Sequence, residues 1–194
     1  MAGCHARSFH CADSTGGDMT VTLILGGARS GKSRLAERLA GGEKHYIATA
    51  QAYDEEMRER IAKHKVQRGE GWVMHEEELA LALKLAEVDA GGRFILVDCL
   101  TLWLSNLMLG ELDWDGPATA LTSVLAGIQA DVVLVSNEVG LSIVPDTAWG
   151  RRFRDAQGTL NQRVAAVADN VAFVAAGLPL VLKGRWPEVP ALRT

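Results

Sequence analysis

Leu23-Ile24-Leu25-Gly26-Gly27-Ala28-Arg29-Ser30-Gly31-Lys32-Ser33 runs an apolar strand straight into the spacing G-x-x-x-x-G-K-S, which builds a phosphate cradle. Its glycines let the backbone turn tightly, so that successive N–H groups point inward. The helix opening near Lys32 adds the positive end of its dipole. The motif therefore assigns nucleotide contact to Gly26, Gly27, Ala28, Arg29, Ser30, Gly31, Lys32 and Ser33. Lys32 is placed to reach the β- and γ-phosphates as a catalytic group, and Ser33 to offer its hydroxyl to Mg²⁺. A plain Gly/Ser turn is the weaker reading, because strand, loop and helix follow one another in the required order. That unit also sets the fold class as α/β.

The remaining composition narrows the partner. The chain has 194 residues, 48% hydrophobic and 23% charged, enough for one α/β core and too short for two. A net charge of −4 gives no basic surface for nucleic acid, so the expected partner is small. Cys4, Cys11 and Cys99 have no metal-ligand spacing, and so few cysteines fit a reducing cytoplasm. No apolar run approaches the roughly 18 residues of a membrane span, and a soluble protein is expected. Residues 1–18 read as a disordered tail without a secretory pattern, with Met19 a candidate natural start. Residues 19–184 read as the single domain, and 185–194 as a polar C-terminal tail.

Outward from the loop, helix is expected over Lys32–Leu39 and strand over His45–Thr49, its carboxyl end beside the phosphate loop. Polar residues at the carboxyl ends of strands are the functional candidates in open α/β sheets. Tyr53 to Arg68 reads as a charged helix, acids first and bases later, an order that complements the helix dipole. Arg60, His64 and Arg68 share a face at i, i+4 and i+8. From that spacing alone, the default reading is an exposed helix with an incidental histidine.

Trp72–Met74 reads as a short strand, followed by a helix over Glu76–Glu87 with Leu79, Ala82, Leu83 and Ala86 as its core stripe. Phe94-Ile95-Leu96-Val97 is a buried parallel strand delivering Asp98 to the crevice. Such an acid holds Mg²⁺ in enzymes with this loop, while a solvent-facing strand cap is the alternative. Leu100–Leu109 reads as a buried helix whose apolar excess suggests an oligomer contact. Pro117 is expected to open the next helix. Val132–Val135 reads as a strand ending in Ser136-Asn137-Glu138, where Glu138 could assist a metal, accept a proton or cap the strand. Arg151–Ala168 is a long helix with four arginines, and Val171–Ala175 and Leu180–Leu182 form an antiparallel edge pair joined through Gly177-Leu178-Pro179.

Taken together these stretches resemble one family, the bifunctional adenosylcobinamide kinase / adenosylcobinamide-phosphate guanylyltransferases of cobalamin biosynthesis. The resemblance rests on Gly26 to Ser33, then Tyr46-Ile47-Ala48-Thr49-Ala50, then Arg60-Ile61-Ala62-Lys63-His64-Lys65 with Arg68 and Trp72. Asp98-Cys99-Leu100-Thr101, Val135-Ser136-Asn137-Glu138-Val139-Gly140 and Asn161-Gln162-Arg163 complete it. Gly69 stands where family members often carry proline, a departure that removes no reactive group.

The resemblance implies a RecA-like P-loop fold, with a mainly parallel sheet of about seven strands, and assembly as a homotrimer. It implies phosphorylation of adenosylcobinamide by ATP or GTP with Mg²⁺. GMP is then transferred from GTP to adenosylcobinamide phosphate through a guanylyl-histidine, and the matching residue is His64. This reverses the default reading of that histidine. It also implies nucleotide contacts for Ala48, Thr49, Ala50, Arg60, Lys65, Val66, Gln67, Arg68, Glu76 and Asp98; Glu76 and Asp98 could read the guanine or bind metal, and the strand-end position of Asp98 makes it the metal candidate beside Ser33. The rival readings are a small-metabolite kinase without histidine chemistry and a non-catalytic nucleotide-binding module. A regulatory GTPase is disfavoured, since no N-K-x-D follows the later strands.

Overall fold

Val21–Gly26 (β1) is buried along its whole length, as a strand covered on both faces must be. The structure, a computed structural model, describes residues 19–51 and 71–186. It pairs β1 in parallel with Asp131–Asn137 (β5) on one side and Asn170–Ala175 (β6) on the other. Beyond β5 lie Arg93–Asp98 (β4), Glu43–Ala48 (β2) and Trp72–Glu76 (β3), all parallel. Beyond β6 lies antiparallel Leu178–Lys183 (β7), giving seven strands in the order β3-β2-β4-β5-β1-β6-β7. The α/β class expected from the loop, and the mainly parallel sheet of about seven strands with an antiparallel edge pair, are what is observed.

Side-chain alternation along β1 divides the core. Val21, Leu23 and Leu25 enter the larger cluster, while Ile24 enters the smaller one with Leu35 and Ala36 of Lys32–Glu37 (α1). Leu81–Val88 (α2), Leu100–Leu109 (α3), Asp115–Leu125 (α4) and Ala148–Val167 (α5) contribute their apolar residues to the larger cluster.

Several local expectations change. The helix expected over Glu76–Glu87 begins only at Leu81, because β3 extends to Glu76 and the Glu77 carboxylate accepts hydrogen bonds from the N–H groups of Leu79 and Ala80. The later start rotates the buried face to Leu81, Leu85 and Val88, so Leu79 and Leu83 are exposed, not core. The apolar excess of α3 goes into its own core: Leu100, Trp103, Leu104 and Leu107 are buried, and Trp103 Nε1 donates to the Leu79 carbonyl. The helix containing Pro117 starts two residues before it, at Asp115. The edge pair turns at Ala176-Gly177, both at positive φ (52° and 78°), as two-residue hairpins require. Leu178 and Pro179 therefore belong to β7. Past Gly184, Arg185 N donates to Asn170 and Trp186 packs on the smaller cluster.

A histidine pair ties β3 to β2. His45 Nδ1 lies 3.0 Å from His75 Nε2, and His45 Nε2 lies 3.0 Å from Glu43 Oε1. Burial, then the neighbouring His45 and Lys84, hold His75 below its ordinary value of 6.5. The folded protein therefore prefers the neutral ring, while the unfolded chain takes its proton near pH 6.5. The stability from this group is present above that value and is lost as pH falls below it. The thermal midpoint should drop between pH 7 and pH 5, and more steeply in the native protein than in His75→Gln. Parallel pH profiles for the two proteins would contradict the linkage.

Candidate functional site

The loop from Gly26 to Lys32 is tightly seated. A Cβ on Gly26 would lie 2.6 Å from the Val174 carbonyl and 2.7 Å from Ser30 Oγ. Gly177 N donates to the Ser30 carbonyl at 2.8 Å, so the β6–β7 turn props the loop from beside it. Gly31 has φ 96°, and a Cβ there would meet Gly177 Cα at 3.2 Å. Gly31→Ala should therefore destabilise the fold by about 1–2 kcal/mol and weaken nucleotide binding. Denaturant unfolding and an ATP titration check both, and wild-type values in both would contradict the close seat.

Lys32, in the first turn of α1, is 8% exposed and its ammonium donates to the Gly27 carbonyl at 2.8 Å. Its charge is thus folded back over the loop, as required to meet a polyphosphate in the cradle. Ser33 follows it on α1, and Ala28 and Arg29 stand exposed at the tip.

Strand pairing assembles the rest of the edge. Ala48 sits in register between Glu76 on β3 and Asp98 on β4, and Gly26 sits opposite Asn137 on β5. At about 4.8 Å per strand, Glu76 and the loop mark the ends of a row roughly 19 Å long. β2 is not beside the phosphate loop, since β4 and β5 lie between them. Asp98 is one strand removed from β1 for the same reason. Its Oδ2 accepts from the Tyr46 hydroxyl at 2.9 Å, which orients a half-buried carboxylate at the edge.

Thr49 is fully buried, and its hydroxyl both donates to the Cys99 carbonyl and accepts from Cys99 N. It positions the β4–α3 turn instead of opening toward solvent. Ala50 lies half-buried beside it. Burial, then the Asp98 charge, push the Cys99 thiol up to about 12, which removes it as a nucleophile at neutral pH.

At the end of β5, Ser136 Oγ donates to Asn161 Oδ1, Gln157 Nε2 donates to both of these oxygens, and Asn161 Nδ2 donates to the Asn137 carbonyl. Thr101 Oγ1 accepts from Asn137 N. These contacts fix α3 and α5 against the edge. Glu138 Oε1 accepts from Gly140 N at 2.7 Å, a contact within the turn that follows β5. The arginines of α5 are mostly engaged locally: Arg151 donates to the carbonyls of Pro145 and Asp146, Arg154 pairs with Asp155, and Arg163 pairs with Asp115 over the Trp114 ring.

Sequence reasoning missed Tyr46 and Gln157 as supports of the edge. Gln157 was detectable as the i−4 neighbour of Asn161, whereas the role of Tyr46 depends on which strand lies beside β2. Arg60, His64, Lys65, Val66, Gln67 and Arg68 lie outside the described residues.

The sequence model of the cobinamide kinase / cobinamide phosphate guanyltransferase family matches residues 22–182, from β1 through β7. The chain belongs to this family. It is thus a transferase of cobalamin biosynthesis, with both the kinase and the guanyltransferase activity and with nucleotide and cobinamide substrates. The bifunctional adenosylcobalamin biosynthesis protein CobP of Pseudomonas aeruginosa is 52% identical over 167 residues, covering 84% of this chain and 96% of that protein. The corresponding CobU of Salmonella typhimurium is 41% identical over 184 residues, covering 84% and 99%. Among solved structures, the P4 protein of bacteriophage phi6 in complex with ADP is a distant likeness. It has a TM-score of 0.40 and 19% identity over 89% of this chain and 58% of that one.

Proposed function

We propose that the chain phosphorylates the hydroxyl of the aminopropanol arm of adenosylcobinamide with ATP or GTP, then converts the phosphate to adenosylcobinamide-GDP. In the second step, an imidazole nitrogen of His64 attacks the α-phosphorus of GTP and pyrophosphate leaves. An oxygen of adenosylcobinamide phosphate then displaces the histidine at the same phosphorus, breaking the N–P bond. Arg60 and Arg68 counter the triphosphate charge. Gly26, Gly27, Ala28, Arg29, Ser30, Gly31, Lys32 and Ser33 hold phosphates, while Ala48, Ala50, Lys65, Val66, Gln67, Glu76 and Asp98 complete the nucleotide site, with Thr49 behind them bracing the Cys99 backbone.

The observation that carries this reading is Lys32 folded over the loop at the same sheet edge as Asp98. One hydroxyl from Ser33 and one carboxylate from Asp98 fit Mg²⁺, which takes few protein oxygens beside phosphate and water. The ion would supply charge neutralisation at the bridged phosphates.

A homotrimer is part of the proposal, supported by apolar side chains left exposed on β7, Leu178, Leu180 and Leu182, and on the 138–147 loop, Leu141 and Ile143. A cytoplasmic setting is proposed too. No helix among the described residues is long and apolar enough to cross a membrane.

Product analysis tests the reading. With Mg²⁺ and ATP or GTP, adenosylcobinamide should become its phosphate, and GTP should then give the GDP derivative with one pyrophosphate per turnover. A folded protein that binds nucleotide and leaves the corrinoid unmodified would favour the non-catalytic module instead.

A further inference from the structure

We infer that the groove between the end of α3 and the first half of α5 seats the corrin ring of the acceptor, an assignment that rests on the functional reading above. The groove holds about 930 Å³, at the upper end of small-molecule sites. Its walls are Leu109, Leu112, Trp114 and Trp149, with Arg152 and Asp155 at its polar margin.

Its position follows from the contacts at the sheet edge. Gln157 and Asn161 bond Ser136 and the Asn137 carbonyl, so the middle of α5 is level with the carboxyl end of β5. Asn137 pairs in register with Gly26, the start of the phosphate loop. Trp149 lies eight residues before Gln157, so about 12 Å of helix projects past the edge on the side where the loop opens. The opposite wall is tied to the same edge, because Thr101 holds Asn137 N and Asn106 donates to the carbonyls of Thr49 and Glu78.

Chemistry selects the occupant. A nucleotide is a small base on a polyanionic tail, and that tail would meet two carboxylates, Asp155 and Glu111, against the single cation Arg152 here. A corrin ring is broad and flat, with apolar faces and a rim of neutral amides that need donors and acceptors together. The groove presents both. Trp149, stacked on Phe153 with ring centroids 5.3 Å apart and planes 6° apart, adds a flat aromatic surface. Leu109 and Leu112 are about half exposed, apolar area that a ring face would cover.

The test is equilibrium binding of adenosylcobinamide and, separately, ATP to the full chain, to Trp149→Ala and, on the other wall, to Leu112→Asp, a change at a half-exposed position, with the melting curve of each variant confirming that it is folded. Each variant should weaken adenosylcobinamide binding at least tenfold and keep the ATP affinity within twofold. Wild-type corrinoid affinity in both variants overturns the site alone. Corrinoid binding lost together with a fall in oligomeric mass also overturns it, making the groove a contact between copies. A wild-type chain that binds ATP and no adenosylcobinamide overturns the functional reading, and the site with it.

Discussion

Lys32→Ala should lower phosphorylation of adenosylcobinamide by about 10²–10³-fold while the protein stays folded. The ammonium is nearly buried and donates to the Gly27 carbonyl across the loop. It is therefore preset where charge develops on the transferring phosphoryl group and needs little rearrangement there. The loop's other supports do not involve that side chain: Gly177 N holds the Ser30 carbonyl, and Leu35 N continues the helix to the Gly31 carbonyl. Removing the amine should thus act on kcat more than on the thermal midpoint. Steady-state kinetics with ATP and a melting curve measure the two effects. A kinase rate within a few fold of wild type would show that the loop binds nucleotide without performing the phosphoryl transfer.

His64→Ala should abolish guanylyl transfer, a loss of about 10⁴-fold or more, and leave phosphorylation within a few fold. The reason is chemical. Only the second reaction is proposed to pass through a covalent P–N bond, so only that reaction needs an imidazole nitrogen at the α-phosphorus. Phosphoryl transfer from the γ-position depends on the loop. Feeding the variant adenosylcobinamide and ATP, then adenosylcobinamide phosphate and GTP, separates the two steps. Equal loss of both activities with the fold intact would contradict separate roles.

How much of this was legible in the sequence follows from the range of each interaction. The phosphate loop was legible because it is local: one strand, four variable positions and one helix, each fixed by its own residues. The buried strands ending in Asp98 and Ser136 were legible for the same reason. Strand order was not. Nothing within His45–Thr49 says that β4 and β5 stand between β2 and the loop, and the hydroxyl of Tyr46 gains its meaning only when Asp98 is placed alongside.

Leu79 and Leu83 were misread because the start of α2 is set by the Glu77 carboxylate and by the length of β3, which apolar periodicity does not register. The leucines of α3 pointed to an oligomer contact only while the helices packing around them were unknown. Thr49 shows the limit of carrying roles across a resemblance. Its position at the end of β2 is as expected, yet its hydroxyl is engaged with the backbone of Cys99.

The guanylyl-histidine is the central claim, and one labelling experiment tests it most directly. The protein is incubated with Mg²⁺ and GTP labelled at the α-phosphate, then run on a denaturing gel beside His64→Ala. The account predicts an acid-labile, alkali-stable label on the wild-type chain and none on the variant. No label on folded wild-type protein, or equal label on both, would contradict it.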